Sequence, residues 1–590
     1  MLAGKIALFN RGVKLNFWAL SLVGILLGAL PSVAKTISVT NTNDAGAGSL
    51  RQAIATAVNN DTIKFNLQLP AIISLNSPLT IGTNITISGP GAASGVTPTS
   101  GPPPFVQLPL VIAGSGSIQD FIINAGANVE ITGMSIVGGN AGSGNGGGIS
   151  NAGELVLIGV SLVNNTAAWG GGIFNTGKLF VFDSAIGNNQ ASKVFTGNDF
   201  NDFTRSGRAR GGAIYNLGED PSLPAFVSLT NTSIIANQAG SPGQLAGAPH
   251  LSTNGDGSGI YNDQGTMSLT NCMVWQNEGD FGGGIFNSVA ATLTLSGTTV
   301  YDNFGVAGAG LYNNGAVTAT NSTFYQNHAV WYGGGIYQFV GYQNIPGSLA
   351  LVSSTIAHNE ADGTDSFVIG GGGIFGGYVS FKNSVIAEHG VYGNCAQTNI
   401  VGVQGNNFSD DRTCSSFDSD QLSGLDPAGL KDNGGPTWTV SLVSDSPLID
   451  SIPDYLCTDA NGNRLRIDQR GVPRPQGNGC DIGAFEVVKP TTLSGNPVVA
   501  VQLYGLEETV RVAPLPTIPQ AGLNILLQAT VEAVNQGNDK LATGDLNLFV
   551  GSVNFLARVG VIDTNLGADL TVPAQGIIQN LATGGGTTLQ

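Results

Sequence analysis

Charge is scarce in this 590-residue chain. Charged residues make up 10% of it, well under the roughly 25% usual for soluble domains, and basic residues are fewest, with 22 Lys and Arg against 39 Asp and Glu. A net charge of −17 excludes a phosphate-backbone partner, so no nucleic-acid role is expected. Histidine is limited to His250, His328, His358 and His389, widely separated, and no CxxC is present. Metal and cofactor sites are therefore not expected. Long apolar runs are missing too. The longest, Phe17 to Leu30, is short for a membrane span and follows Lys5, Arg11 and Lys14. With Ser32-Val33-Ala34 after it, residues 1–34 read as a secretory signal peptide, an uncleaved anchor being the alternative. Removing it takes the formal charge from −17 to −20, and the mature chain is expected to be exported, without a transmembrane segment.

Glycine is abundant instead: 87 residues, about twice the usual share. That disfavours long helices, while an apolar fraction of 42% is too high for a disordered chain. A β-rich fold with many tight turns remains. Five cysteines suit an oxidising compartment. Cys395 with Cys414 and Cys457 with Cys480 close short loops and are expected as disulfides, leaving Cys272 as a buried free thiol.

A short phrase recurs from residue 146: GGGISN, GGGIFN, GGAIYN, GSGIYN, GGGIFN, GAGLYN, GGGIYQ and GGGIFG. Its aliphatic residue falls at Ile149, Ile173, Ile214, Ile260, Ile285, Leu311, Ile336 and Ile374, and four of the seven intervals are 24 to 26 residues. Longer intervals read as a repeat plus an insertion, although the interval of 46 also fits a degenerate second repeat. Between phrases, stretches such as LTLSGTTVYDN and VTATNSTFYQN alternate apolar and polar residues and end on Asn. Three short strands per coil suit a right-handed parallel β-helix of about ten coils, an all-β solenoid in which each strand pairs with its copy in the next coil. Leucine-rich, propeller and calcium β-roll repeats lack their signatures here. Stacking brings identical residues together, so Asn151, Asn175, Asn216, Asn262, Asn287 and Asn313 form a column whose amides bond one another, lapsing at Gln338 and Gly376. Residues 60–140 read as irregular first coils. Ser49-Leu50-Arg51-Gln52 matches a capping box opening a helix through Val58 that would cover the open end.

Three pieces resemble known families. VTNTNDAGAGSLRQAI followed by DTIKF resembles the opening of secreted bacterial β-helix proteins of the CSLREA type, with Gly48 where those usually have Cys. The GGGI and YQN phrases resemble repeats of polymorphic outer-membrane proteins. LKDNGGPTWTVSLVSDSPLIDS with DQRGVPRPQGNGCDIGAFE is similar to the C-terminal signature of choice-of-anchor Q proteins. Together these imply a secreted or surface β-helix over residues 36–487, without a settled activity. In that signature Arg470 and Arg474 are expected to pair with Asp468, Asp481 or Glu486, forming a charged, disulfide-clipped cap over the last coil. The domain plan is then a β-helix over 35–380, end coils and cap over 381–487, and a Pro-containing linker over 488–519. Over 520–590, apolar residues at helical spacing predict three short helices, Pro573 breaking the last, resembling FIMAH-type C-terminal domains.

Two functions of different class follow. The position after the repeat aliphatic is Phe174, Tyr215, Tyr261, Phe286, Tyr312, Tyr337 and Phe375. Strand alternation turns these rings outward, into a stripe that could stack on sugars or meet a cell-surface partner, unless insertions cover it. This favours a noncatalytic, adhesin-like protein. The alternative is a polysaccharide lyase or glycoside hydrolase acting on acidic polysaccharide, an argument by fold analogy. Its candidates are an insertion with Lys193, Asp199, Asp202, Arg205, Arg208 and Arg210, suited to neutralising a uronate, and a cluster of His358, Glu360, Asp362 and Asp365. For both, a solvated or locally paired set of charges is the structural reading.

Overall fold

The computed structural model describes residues 34–488 apart from 92–106, 193–207, 219–224, 243–251, 254, 340–346, 364–369, 391, 415–416 and 418–421, and then 539–558, 564–582 and single positions between 503 and 534. The predicted signal peptide lies outside the described residues.

Among the described residues, three long parallel sheets carry 13, 12 and 11 strands, more than the ten or so coils expected. Irregular early strands such as Asp61–Phe65 and the late strand Asn399–Gln404 pair like the rest, which extends the stack at both ends. One coil visits the sheets in turn, as Ile149–Asn151 (11-stranded), Glu154–Ile158 (13-stranded) and Ser161–Val163 (12-stranded), before Ile173–Asn175 begins the next. Ile149, Ile173, Ile214, Ile260, Ile285, Leu311, Ile336 and Ile374 pair in register and are fully buried. The interval of 46 residues is one coil with an insertion, because Ile214–Leu217 pairs directly with Ile260–Asp263. Ser49 caps the helix Leu50–Thr56 by accepting from the Gln52 backbone N–H, and Leu50, Ala53 and Ile54 join the solenoid core. The helix stops at Thr56, short of the expected Val58.

Bends between strands are built from two kinds of residue. One adopts positive φ, as Asn164, Asn188, Ala236, Gln276, Asp302, Gln326 and His358 do (φ +48° to +58°). The next faces inward and bonds its counterpart in the following coil. After the 12-stranded sheet this is Asn165, Asn189, Asn237, Asn277, Asn303, Asn327 and Asn359, each Nδ2 donating to the next Oδ1 at 2.8–3.0 Å. The column predicted from the repeat phrase, Asn151 to Asn313, does the same at 2.7–2.9 Å. It extends one step beyond the expected lapse, because Gln338 accepts from Asn313 at 2.7 Å. A hydroxyl column, Ser184, Thr232, Thr298, Ser322, Ser354 and Ser384, occupies the third bend, each hydroxyl donating to the carbonyl two residues back. Cys272 takes a place in this column: it is buried and free, and its Sγ donates to Thr270 O. Burial pushes the thiol up to about 12.

The ladder from Asn165 to Asn359 is capped by substitutions. At its start Gly139 stands where Asn is needed, and Asp120 stands where later coils have the third Gly of the phrase. A Cβ on Gly139 would lie 2.5 Å from Asp120 Oδ2, so the Asp120 carboxyl fills the missing amide's place. It is fully buried, and burial pushes it up to about 9. At the other end His389 replaces Asn, its Nδ1 accepting from the Asn359 N–H at 3.0 Å. Burial lowers this imidazole to about 4, which keeps it neutral.

The disulfides Cys395–Cys414 and Cys457–Cys480 form as expected, in two different places. The first closes the end of the core, where Phe417 packs on Phe381 at 4.8 Å. The second lies in a segment that departs from the expected cap over the last coil. Residues 423–486 run back along the outer flank of the 12-stranded sheet. Thr437 Oγ1 bonds Gly297 O, Gln469 bonds Thr299 and Thr323, Ala484 N bonds Thr355, and Asn383 bonds Leu456 O. The physical reason is an apolar flank needing cover: Met273, Tyr301, Tyr325, Ala357 and Val385 are buried against Leu425, Val440, Leu448 and Ile482. Within this strap Arg470 pairs with Asp468 at 2.7 Å and Arg474 with Glu486 at 2.9 Å.

Lys489–Gln590 form a separate compact unit. Its core includes Leu503, Leu506 and Val510, helical positions inside the expected linker. Two long helices, Asp539–Arg558 and Thr564–Ala582, are described. Pro573 sits inside the second without ending it, since Leu570, Ala574, Ile577 and Leu581 bury one continuous face across it. Leu541 is exposed and Leu546 takes the inward place. Among the described residues, no helix is long and apolar enough to cross a membrane.

Two substitutions test the bends. Asp120 has a folded-state pKa above its unfolded value, so its ionisation works against folding from about pH 4 up to about pH 9. Asp120→Asn should raise Tm by a few degrees at pH 8 and leave it unchanged at pH 4, measured by calorimetry. Cys272→Ser restores the column's hydroxyl and should change stability by less than about 1 kcal/mol, measured by denaturant unfolding.

Candidate functional site

The outward ring column is built by the glycines in front of it. Gly170, Gly211, Gly257, Gly282, Gly308 and Gly333 open the repeat phrase at φ +57° to +64°. A Cβ at any of them would fall 2.3–2.6 Å from the carbonyl oxygen of the repeat aliphatic. Only glycine makes this reversal, which folds the preceding residue back over the rings. Those residues are Trp169, Arg210, Asp256, Phe281, Ala307 and Tyr332, paired coil to coil.

The rings do face away from the solenoid core, and they are roofed. Tyr215, Tyr261, Phe286, Tyr312 and Phe375 are buried, and Phe174 and Tyr337 half-buried. They stack on one another, Tyr261–Phe286 at 4.5 Å, Phe286–Tyr312 at 4.9 Å and Tyr312–Tyr337 at 4.6 Å, all nearly parallel. From outside, Trp169 packs on Tyr215, Phe281 on Tyr312 and Tyr332 on Phe375 at 4.6–5.7 Å. The expected solvent-facing stripe is therefore covered by the chain itself, because laying Trp169, Phe281 and Tyr332 against the ring column removes more apolar area from water than exposing it.

The basic insertion is engaged in the same roof. Arg208 Nε donates to both Asp256 oxygens at 2.9 Å and Nη2 to Asp280 at 2.7 Å. Burial opposes its charge, but Asp256 and Asp280 outweigh that and raise its pKa. Arg210 is buried with its guanidinium 5.0 Å from the Tyr261 ring centre. Tyr215 donates to Asp263 Oδ2 at 2.8 Å, and Ser288 donates to Asp263 Oδ1 at 3.0 Å. Burial pushes the Tyr215, Tyr261 and Tyr312 phenols up, so all stay protonated at neutral pH. Lys193, Asp199, Asp202 and Arg205 lie outside the described residues.

The proposed hydrolase cluster separates into two pairs. His358 bonds Glu388 at 2.6 Å, which also accepts from Ser423 of the strap, while His328 bonds Asp362 at 2.8 Å. Asp365 lies outside the described residues. Glu388, absent from the sequence-based candidates, is held below the usual carboxylate range chiefly by the His358 hydrogen bond.

Sequence reasoning also missed the open face. The outward positions of the 13-stranded sheet form ranks of hydroxyls: Ser228 with Thr230, Ser268 with Thr270, Thr294 with Ser296, and Thr318 with Thr320. In the preceding coils the same ranks hold Val156 with Ile158 and Phe180 with Phe182. These four are partly exposed, Ile158 at 36%, and Phe180 meets Phe226 at 5.5 Å. The signal was KLFVF at 178–182, where the next four coils have Ser or Thr at the outward positions of Phe180 and Phe182. Beside the patch lies a groove of about 230 Å³ lined by Asn60, Asn84, Asn128, Glu130, Glu154 and Val156.

No family model, curated protein sequence or solved structure matches the chain.

Arg208→Ala strands Asp256 and Asp280 in the roof without their cation. A loss of about 3–5 kcal/mol is expected, read by denaturant unfolding.

Proposed function

We propose that this is an exported, noncatalytic β-helix that binds glycan or another cell-surface component, of the choice-of-anchor Q and CSLREA type that its sequence resembles. One observation carries the reading: two of the three sheet faces are covered by the chain itself, one by the ring roof and one by the strap, while among the described residues most of the 13-stranded face is left open, with partly exposed rings and hydroxyls. A surface kept free in this way is suited to a ligand. Two disulfides suit export. Of the charges that favoured a lyase, the described ones are engaged in the roof, Arg208 with Asp256 and Asp280 and Arg210 over the Tyr261 ring, which argues for scaffolding over proton transfer. The test is a glycan-array screen of the mature chain beside an assay for new unsaturated or reducing ends on acidic polysaccharides with calcium present. Binding without product is expected; product formation overturns the reading.

A further inference from the structure

We infer that the open face is a binding site for an uncharged, extended glycan, seated in the groove at Asn128, Glu130 and Glu154 and continuing over Phe180, Phe182 and Phe226. The inference rests on the binding reading above and fixes its place and ligand class. Three observations point there.

The groove and the rings are continuous. Glu130, Val156 and Phe180 occupy one outward column in successive coils, and Asn128, Glu154, Lys178 and Phe226 the column beside it. Coil spacing is ~4.8 Å, close to the width of a pyranose ring, so a linear chain along the solenoid axis meets one outward rank per sugar.

The side chains present both halves of sugar recognition. Carboxylates and primary amides take and give hydrogen bonds to adjacent hydroxyls, and Glu130, Glu154, Asn60, Asn84 and Asn128 supply them in the groove. Phenyl rings cover the C–H face of a pyranose, and Phe180 and Phe226, 5.5 Å apart, supply that platform.

Charge selects the ligand. The groove's ionic side chains are acidic, and Glu154 is already matched by Lys178 at 3.3 Å. In a chain of net charge −17, such a groove repels a uronate polymer. A neutral hexose or N-acetylhexosamine chain meets no such penalty.

The test uses the mature chain with cellohexaose, chitohexaose, chitosan hexamer and oligogalacturonate as probes in calorimetric titration, at low and high salt. A neutral hexasaccharide should bind with little salt dependence, and oligogalacturonate should not. The double variant Phe180→Ser, Phe182→Thr copies the residues that Ser228 and Thr230 place in register in the next coil, so it should fold with an unchanged Tm. It should bind the neutral probe at least tenfold more weakly. Glu130→Gln, which keeps the shape, should reduce binding less than the ring variant. Full-strength binding by the ring variant overturns this site and leaves the binding protein standing. Binding only of oligogalacturonate, or of chitosan in a way abolished by salt, overturns the ligand class. Turnover of any probe overturns both readings.

Discussion

Stacking of a buried polar side chain on its own copy is the constraint on which this fold depends. Each coil must turn three times, and each turn brings an inward polar group into a dry core. Leaving such a group unpaired costs about 1–3 kcal/mol. The next coil removes that cost by offering the same group at the same place: Asn277 gives to Asn303, which gives to Asn327. Each amide also donates to a backbone carbonyl, as Asn303 does to Val274 O, so the ladder ties strand to bend. The solution works only between neighbours. Its two ends therefore require different residues, and they have them in Asp120 and His389, one carboxyl and one imidazole held neutral by burial at opposite ends of the same column.

What the ladder does for the inside, the outer layers do for two of the outside faces. The positive-φ glycines fold a mixed column that includes Trp169, Phe281 and Tyr332 over the aromatic one, and residues 423–486 lie down an apolar flank. The polar atoms of both covers find partners: within the roof Trp169 Nε1 donates to Arg208 O, and in the strap Gln469 bonds Thr299 and Thr323 of the solenoid. Among the described residues the 13-stranded sheet is met by the strap near its end, where Lys382 Nζ donates to Asp459 O; elsewhere its outward residues are mostly Thr and Ser, which tolerate water.

The period, the parallel stack, the amide column and both disulfides were legible in the sequence because each repeats or lies close in the chain. Asn151 to Asn313 are readable as a column since every coil states the same residue at the same offset. The strap was not legible: Gln469 and Thr323 lie 146 residues apart, and one occurrence of a signature carries no period. The ring roof was half legible. Alternation placed Tyr261 and Phe286 outward, but whether outward meant wet depended on Trp169, Phe281 and Tyr332, each five residues upstream of its own coil's ring across a glycine reversal that periodicity does not weigh. The open face was missed for the opposite reason, since Phe180 and Phe182 break a rank that had not been recognised as a rank.

Stacking also accounts for the scarcity of charge with which the sequence begins. A charge repeated in every coil would face itself every ~4.8 Å along a column, and like charges directly opposite destabilise a sheet. In two places where charged residues do fall in a strand, the register sets opposite signs together: Glu154 beside Lys178 and Arg210 beside Asp256. Low charge is thus a property of the architecture and carries no message about ligand. Glu130 has no such partner. Its in-register neighbours are Thr86 and Val156, neither of which offers a cation, and on the diagonal it shares a groove with Glu154. Two carboxylates thus stand beside a patch of partly exposed rings on the open face with no cation in register with Glu130, a local arrangement that stacking alone does not call for and that a ligand's hydroxyls would use.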